Sequence, residues 1–307
     1  MQFGVHLPHI GPWHDGDTLR RFALAVEEMG YDSVWVSDHI VFPLGFQSRY
    51  PYAEGGRFPL PPVVPWLEPV TTLTFVAGVT SRVKLGTSIL VLPYRNPVLN
   101  AKQLGNLQTV SGGRLIVGAG AGWMREEAEA LGMPWDERGA RTDEHIQVLR
   151  ALWTEEDPKF EGRFYSVTGL RCEPRPAMPP PLWVGGHEPP ALRRAARLGD
   201  GWHAYRLTPD ELAEGWRKVQ ALAREVGRDP DALTLSVRWP LSILDAPGDG
   251  SQPFIGTVEQ VGESLRRYQS LGVAHVVFEP PIMAGIDAAL ATLERFAREV
   301  RGEFAEA

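Results

Sequence analysis

An eight-stranded α/β barrel of the (β/α)8, or TIM, type is the fold this sequence predicts, on three observations. Eight short runs rich in Val, Ile, Trp and Phe are near-continuous rather than alternating, as strands buried on both faces of a parallel sheet are. Amphipathic stretches stand between most of them, so strand and helix alternate along the chain. The 307 residues suit one barrel, which takes about 250 residues before insertions.

Taken in order, strand 1 is residues 3–7, and the helix after it, 17–29, carries Leu19, Phe22, Ala23, Val26 and Met29 at three-to-four spacing. Gly30 supplies its stop. Strand 2 is 33–37 and strand 3 is 83–92, after which Asn96 and Pro97 read as N-cap and first helical residue. Strand 4 is 115–119, strand 5 is 182–185 and strand 6 is 201–205. Helices at 190–198, 209–226 and 257–271 are closed by Gly199, Gly227 and Gly272. Strand 7 is 233–241, strand 8 is 275–278, and a helix over 287–300 completes the last unit. With no linker, low-complexity tract or short repeat, the expectation is one domain over residues 1–307.

Three insertions depart from a minimal barrel. Residues 40–68 follow strand 2 and hold Phe42, Phe46, Tyr50, Tyr52, Phe58 and Trp66. Residues 155–181 precede strand 5, with a small hairpin expected around 160–167, and 245–254 follow strand 7. Loops of this length in a compact domain are usually functional. The first and third follow strands, which puts them on the face where barrel enzymes keep their chemistry.

Composition narrows the function. Formal charge is −7 and no basic run exceeds two residues, which argues against nucleic acid as a partner. Cys172 is the single cysteine, so there is no disulfide framework or cysteine metal cluster. No stretch approaches 18 continuous apolar residues, and residues 1–8 lack the pattern of a signal peptide. The expectation is a cytoplasmic protein without a membrane span.

Candidate site residues cluster at strand ends. Asp38 and His39 close strand 2, where His39 can move a proton and Asp38 can orient it or bind a ligand amide. The same pair also fits a plain turn cap and a packed ring. The glycine-rich turn 118–123 after strand 4 is not a dinucleotide fingerprint, because position 123 is Trp. It fits either close backbone approach to a flat ring or a tight barrel turn. Gly185, Gly186 and His187 lead into a helix whose first amides suit a phosphate, with Arg193 and Arg194 as possible added charge. His6 and His9 have the wrong spacing for a barrel metal site, and no metal is expected.

Several blocks resemble the bacterial luciferase-like family, and within it the branch of F420-dependent oxidoreductases. They are YDSVWVSDHI at 31–40, KLGTSILVLPYRNPVLNAKQ at 84–103, SGGRLIVGAGAGW at 111–123, ERGARTDEHIQVLRALWTEE at 137–156 and PLWVGGHEPPALRRAARLGDGWHAY at 181–205. The resemblance implies a flavin-type ring across the strand ends, backed by a non-proline cis peptide at Ser88-Ile89. By the same resemblance Asp38 meets the ring's polar edge, His39 faces the reacting centre, and Ala121 and Gly122 line the cofactor. Gly185, Gly186 and His187 would cradle its phosphate, with Tyr205 beside them, and His6, Phe42 and Trp123 would face the substrate. The implied cofactor is F420, with FMN as the alternative, and the implied assembly is a homodimer.

One departure bears on the substrate. The family's sugar-phosphate dehydrogenases carry a glutamate where this chain has Trp123, and their cationic phosphate grip is missing here. A less charged, planar or apolar small molecule is therefore expected, although loop 40–68 equally fits packing on the barrel or on a second subunit. The implied reaction is hydride transfer to or from that molecule; the rival is an FMN-dependent monooxygenase. A barrel glycosidase would need Asp38 and Glu279 to face each other.

Overall fold

The computed structural model describes residues 1–61 and 63–304. Eight parallel strands close on themselves: β1 (Gln2–His6), β2 (Ser33–Val36), β3 (Lys84–Thr87), β4 (Leu115–Gly120), β5 (Leu182–Gly185), β6 (Gly201–Tyr205), β7 (Thr234–Pro240) and β8 (His275–Glu279). Each pairs with the next, and β8 returns to β1 with Gln2 opposite His275. The outer layer is α1 (Gly16–Glu28), α2 (Pro69–Val79), α3 (Pro97–Val110), α5 (Arg138–Thr154), α6 (Pro189–Leu198), α7 (Pro209–Glu225), α8 (Val258–Ser270) and α9 (Ile286–Glu299). A short α4 (Arg125–Ala130) lies between β4 and α5.

Local chemistry explains the boundaries. Asn96 caps α3 by accepting from the Val98 and Leu99 amides, and Thr208 and Thr257 close capping boxes with Glu211 and Gln260 at the starts of α7 and α8. The expected hairpin forms from Lys159–Glu161 against Ser166–Thr168. Between sheet and helices, Phe3, Phe278 and Phe296 meet with ring centroids 4.7–5.9 Å apart.

Strand 3 differs from the continuous run expected over 83–92. It breaks after Thr87, the Ser88–Ile89 peptide is cis, and pairing with β4 resumes at Leu90–Val91. The barrel axis is filled by Trp35, fully buried and stacked on His203 at 5.1 Å and on Trp183 at 5.6 Å. The two neighbouring strands yield room for it: a Cβ on Gly86 would lie 2.2 Å from the indole, and one on Gly4 2.4 Å. These glycines are demanded by packing.

Candidate functional site

The carboxyl ends of the strands form the candidate site. β2 runs out at Val36, and the chain bends over the barrel so that Asp38 and His39 are both buried. Asp38 accepts two bonds from Arg95, at 2.7 and 3.0 Å, and one from the Val91 amide at 2.9 Å. Burial pushes its carboxyl up while Arg95 and that amide pull it back. Asp38 thus ties the end of β2 to the chain beyond the strand-3 break. Arg95 also reaches Glu68, the N-cap of α2, at 2.8 Å.

His39 has a partner that the sequence reading missed. Its Nδ1 lies 2.6 Å from Oε2 of Glu127, a carboxylate on α4 with no exposed surface. The other Glu127 oxygen accepts from the Ile40 and Val41 amides at 2.7 and 3.2 Å. An ionised carboxylate only accepts, so Nδ1 carries the proton and Nε2 is left without a protein partner among the described residues. Phe42, Trp66, Phe58 and Trp123 box the imidazole at centroid distances of 4.4, 4.8, 5.8 and 5.9 Å. The signal for Glu127 was its place in the apolar stripe Met124–Glu127–Ala128, all three buried.

The floor of the mouth centres on Ile89. A Cβ on Gly120 would fall 1.8 Å from Ile89 Cδ1, and one on Gly185 2.7 Å from Cγ2. Both glycines therefore make room for Ile89. Gly122 sits at φ +83°, where its turn needs glycine, and Ala121 beside it is half-buried. Ser88 bonds His203 Nε2 at 2.7 Å, while Arg238 donates to the Ser88 carbonyl at 2.6 Å and pairs with Glu279. Arg238 Nε and His6 Nε2 are buried with no hydrogen-bond partner among the described residues. Burial, and then Arg238, drives the His6 imidazole well below its ordinary range.

His187 is placed by the Tyr205 amide, which donates to its Nε2 at 3.1 Å, and burial lowers its pKa to about 4. The expected helix-start amides are a correction. Pro189 and Pro190 have no N–H, and the amides of Ala191 and Leu192 are spent on the Glu188 carbonyl. The amides of His187 and Glu188, just before the helix, make no backbone bond among the described residues. Arg194 is spent as well, paired with Asp143 and the Gly139 carbonyl on α5, and Arg193 is exposed.

The loop after β2 lies over this mouth as a strap. Tyr50 packs on Trp123 at 5.1 Å, and Tyr52 packs on His187 and Tyr205 at 5.2 and 5.1 Å. Glu126 fixes it, accepting from the Gln47 and Ser48 amides and from the Ser48 hydroxyl at 2.7, 3.2 and 2.6 Å. Consecutive carboxylates on α4 therefore hold the loop at two places. His9 is structural, its Nδ1 on the Leu7 carbonyl and its Nε2 on Ser37. The glycosidase reading loses its pair, since Asp38 is held by Arg95 and Glu279 by Arg238 and Arg206.

Fold and mouth together are those of a luciferase-like (β/α)8 oxidoreductase. The chain belongs to the luciferase-like monooxygenase family, whose sequence profile matches residues 1–249. An uncharacterized protein of Mycobacterium tuberculosis is 37% identical over 206 residues, 67% of this chain and 71% of that one. An F420-dependent glucose-6-phosphate dehydrogenase of Amycolatopsis mediterranei is 34% identical over 189 residues, 60% of this chain and 52% of that one. Among solved structures, a monooxygenase of Streptomyces bottropensis superposes with a TM-score of 0.79 at 22% identity, covering 99% of this chain and 100% of its own. No helix among the described residues is long and apolar enough to cross a membrane.

Proposed function

We propose that this protein is an F420-dependent oxidoreductase that exchanges hydride with a small planar or apolar organic substrate. The observation that carries the reading is His39, fixed through Nδ1 by buried Glu127 and boxed by aromatic rings at the barrel mouth. The dehydrogenase relative that uses F420 supports the deazaflavin.

The residues fit such a group on two counts. Arg238 Nε and His6 Nε2 are buried polar atoms in want of a partner at the mouth's floor, where the polar edge of a flat heterocycle would supply one. The free amides of His187 and Glu188, with Tyr205, suit a phosphate. When bound, the deazaflavin would take or give the hydride. His39 moves the substrate's proton at Nε2, with Glu127 holding the ring's tautomer and angle. Phe42, Phe58, Trp66 and Trp123 exclude water and favour an apolar body over a sugar phosphate. Asp38 acts through Arg95 and the Val91 amide, fixing the chain just beyond the Ser88–Ile89 break where the cofactor would be held.

The proposal includes a homodimer. Leu99 and Val110 on α3 are exposed apolar side chains that such an interface would cover.

The test is equilibrium titration of the purified protein with F420 and with FMN, read by fluorescence. Micromolar or tighter F420 binding with weak FMN binding is the expected result. The reverse preference would move the protein to the monooxygenase side of its family, and binding of neither would overturn the proposal.

A further inference from the structure

We propose a second ligand site at the amino-terminal mouth of the barrel, opposite the His39 site, for a small organic oxyanion. It does not rest on the function proposed above. A cavity of about 460 Å³ opens there among the first residues of the strands. Its lining includes Gln2 of β1, Lys84 of β3, Trp183 of β5 and His275 of β8, with no aspartate or glutamate in the lining itself among the described residues.

One polar group lining this cavity, His275, has a buried ring nitrogen in want of a partner. Trp35 Nε1 donates to the Ser33 hydroxyl at 2.6 Å, and that hydroxyl lies 2.7 Å from His275 Nε2. Ser33 is fully buried and has no other side-chain partner among the described residues. Its own proton is used only if it points at Nε2, which makes Nε2 the acceptor and places the imidazole proton on Nδ1. The opposite tautomer would strand two polar groups instead of one. His275 is 1% exposed, and its Nδ1 has no partner among the described residues. An N–H left bare in such a place calls for an acceptor.

Charge points the same way. Lys84 donates to the Gln2 side-chain oxygen at 3.2 Å and has no ion pair among the described residues. Arg114, also on the cavity wall, is spent by contrast: its guanidinium donates to Ser111, Thr80, Val83 and Ala77. Lys84, Gln2 and His275 all line the cavity, and a cation beside neutral donors is the set that recognises a carboxylate or phosphate head. Trp183 and Pro181 supply a flat apolar wall, and the volume exceeds what the head alone would fill.

The test uses the full chain with two probes, benzoate and inorganic phosphate, followed by calorimetry and by the His275 Nδ1–H resonance in histidine-labelled protein. Expected are saturable binding and a downfield shift of that proton, with affinity falling about tenfold or more in Lys84→Met. Stronger binding of benzoate would identify an organic carboxylate seated on Trp183; stronger binding of phosphate would identify a phosphate head. Titration repeated with the cofactor site saturated should leave the affinity unchanged. An unmoved Nδ1–H in the wild-type protein, equal binding by Lys84→Met, or displacement by the cofactor would overturn the proposal. The wild-type resonance decides even if the variant does not fold.

Discussion

Glu127 Oε2 stands 2.6 Å from His39 Nδ1, while its Oε1 takes the amides of Ile40 and Val41. One carboxylate thus sets both the histidine and the course of the chain leaving it. In Glu127→Gln the side chain keeps its size but can present its NH2 group to Nδ1, favouring the wrong tautomer. We expect kcat to fall about a hundredfold, with KM changed far less, because proton movement and not substrate packing is lost. Equal losses in kcat and KM with Asp and Gln replacements alike would mean that Glu127 only holds the fold.

Glu126 holds the strap at Gln47 and Ser48, away from the imidazole. Tyr52, on that strap, lies against His187 and Tyr205, and under the proposed function, which assigns these residues to a phosphate arm, the strap would move for the cofactor to seat. Charge-assisted bonds of this kind contribute about 1.5–3 kcal/mol each. Glu126→Ala should raise the cofactor association rate about tenfold, measured by stopped flow, and speed amide exchange at Gln47 and Ser48. Faster exchange with an unchanged association rate would show that the strap is not the barrier.

The fold was legible because strands buried on both faces read as apolar runs and each helix shows its stripe. Trp35 and the glycines around it fit that pattern, though nothing in the one-dimensional order says that Gly4 and Gly86 serve one indole. The break at Ser88–Ile89 could be anticipated only from the family resemblance, since 83–92 reads as one strand. His39 was a candidate from its place at a strand end. Glu127 was not, because a carboxylate in Arg-Glu-Glu-Ala reads as solvated helix until its neighbours Met124 and Ala128 are counted. Arg238 left a stronger sign, a charge inside the run of β7, two residues beyond Ser236 and on the same inward face.

Two glycines should respond oppositely to alanine. At Gly86 the added Cβ would sit 2.2 Å from a fully buried indole that is itself stacked on two other rings. Gly86→Ala should therefore cost about 1–3 kcal/mol. Gly78 is in α2, exposed, with nothing within 4 Å of a built Cβ. Gly78→Ala should stabilise by about 0.5–1 kcal/mol through the lower entropy of the unfolded chain. Urea midpoints at constant m-value read both, and a stabilised Gly86→Ala would refute the packing account of the axis.

Buried histidines should make the protein acid-sensitive well above the carboxylate range. Burial lowers His145, His203 and His275 to about 3, and His9 and His187 to about 4. In the unfolded chain each returns to about 6.5. The folded state therefore binds fewer protons than the unfolded state between these values. The stability that neutral imidazoles contribute is complete above about pH 6.5 and is lost as pH falls toward 4, each group contributing at most about 1.4 kcal/mol per pH unit. Unfolding free energy should be nearly level from pH 8 to pH 7 and should fall steadily from pH 6.5 to pH 5. His145, on α5 and bonded to Asn100 of α3, gives one check. His145→Gln should reduce the proton uptake on unfolding at pH 5 by about one. Stability that stays constant or rises as pH drops from 7 to 5 would show that these imidazoles are already charged in the folded protein.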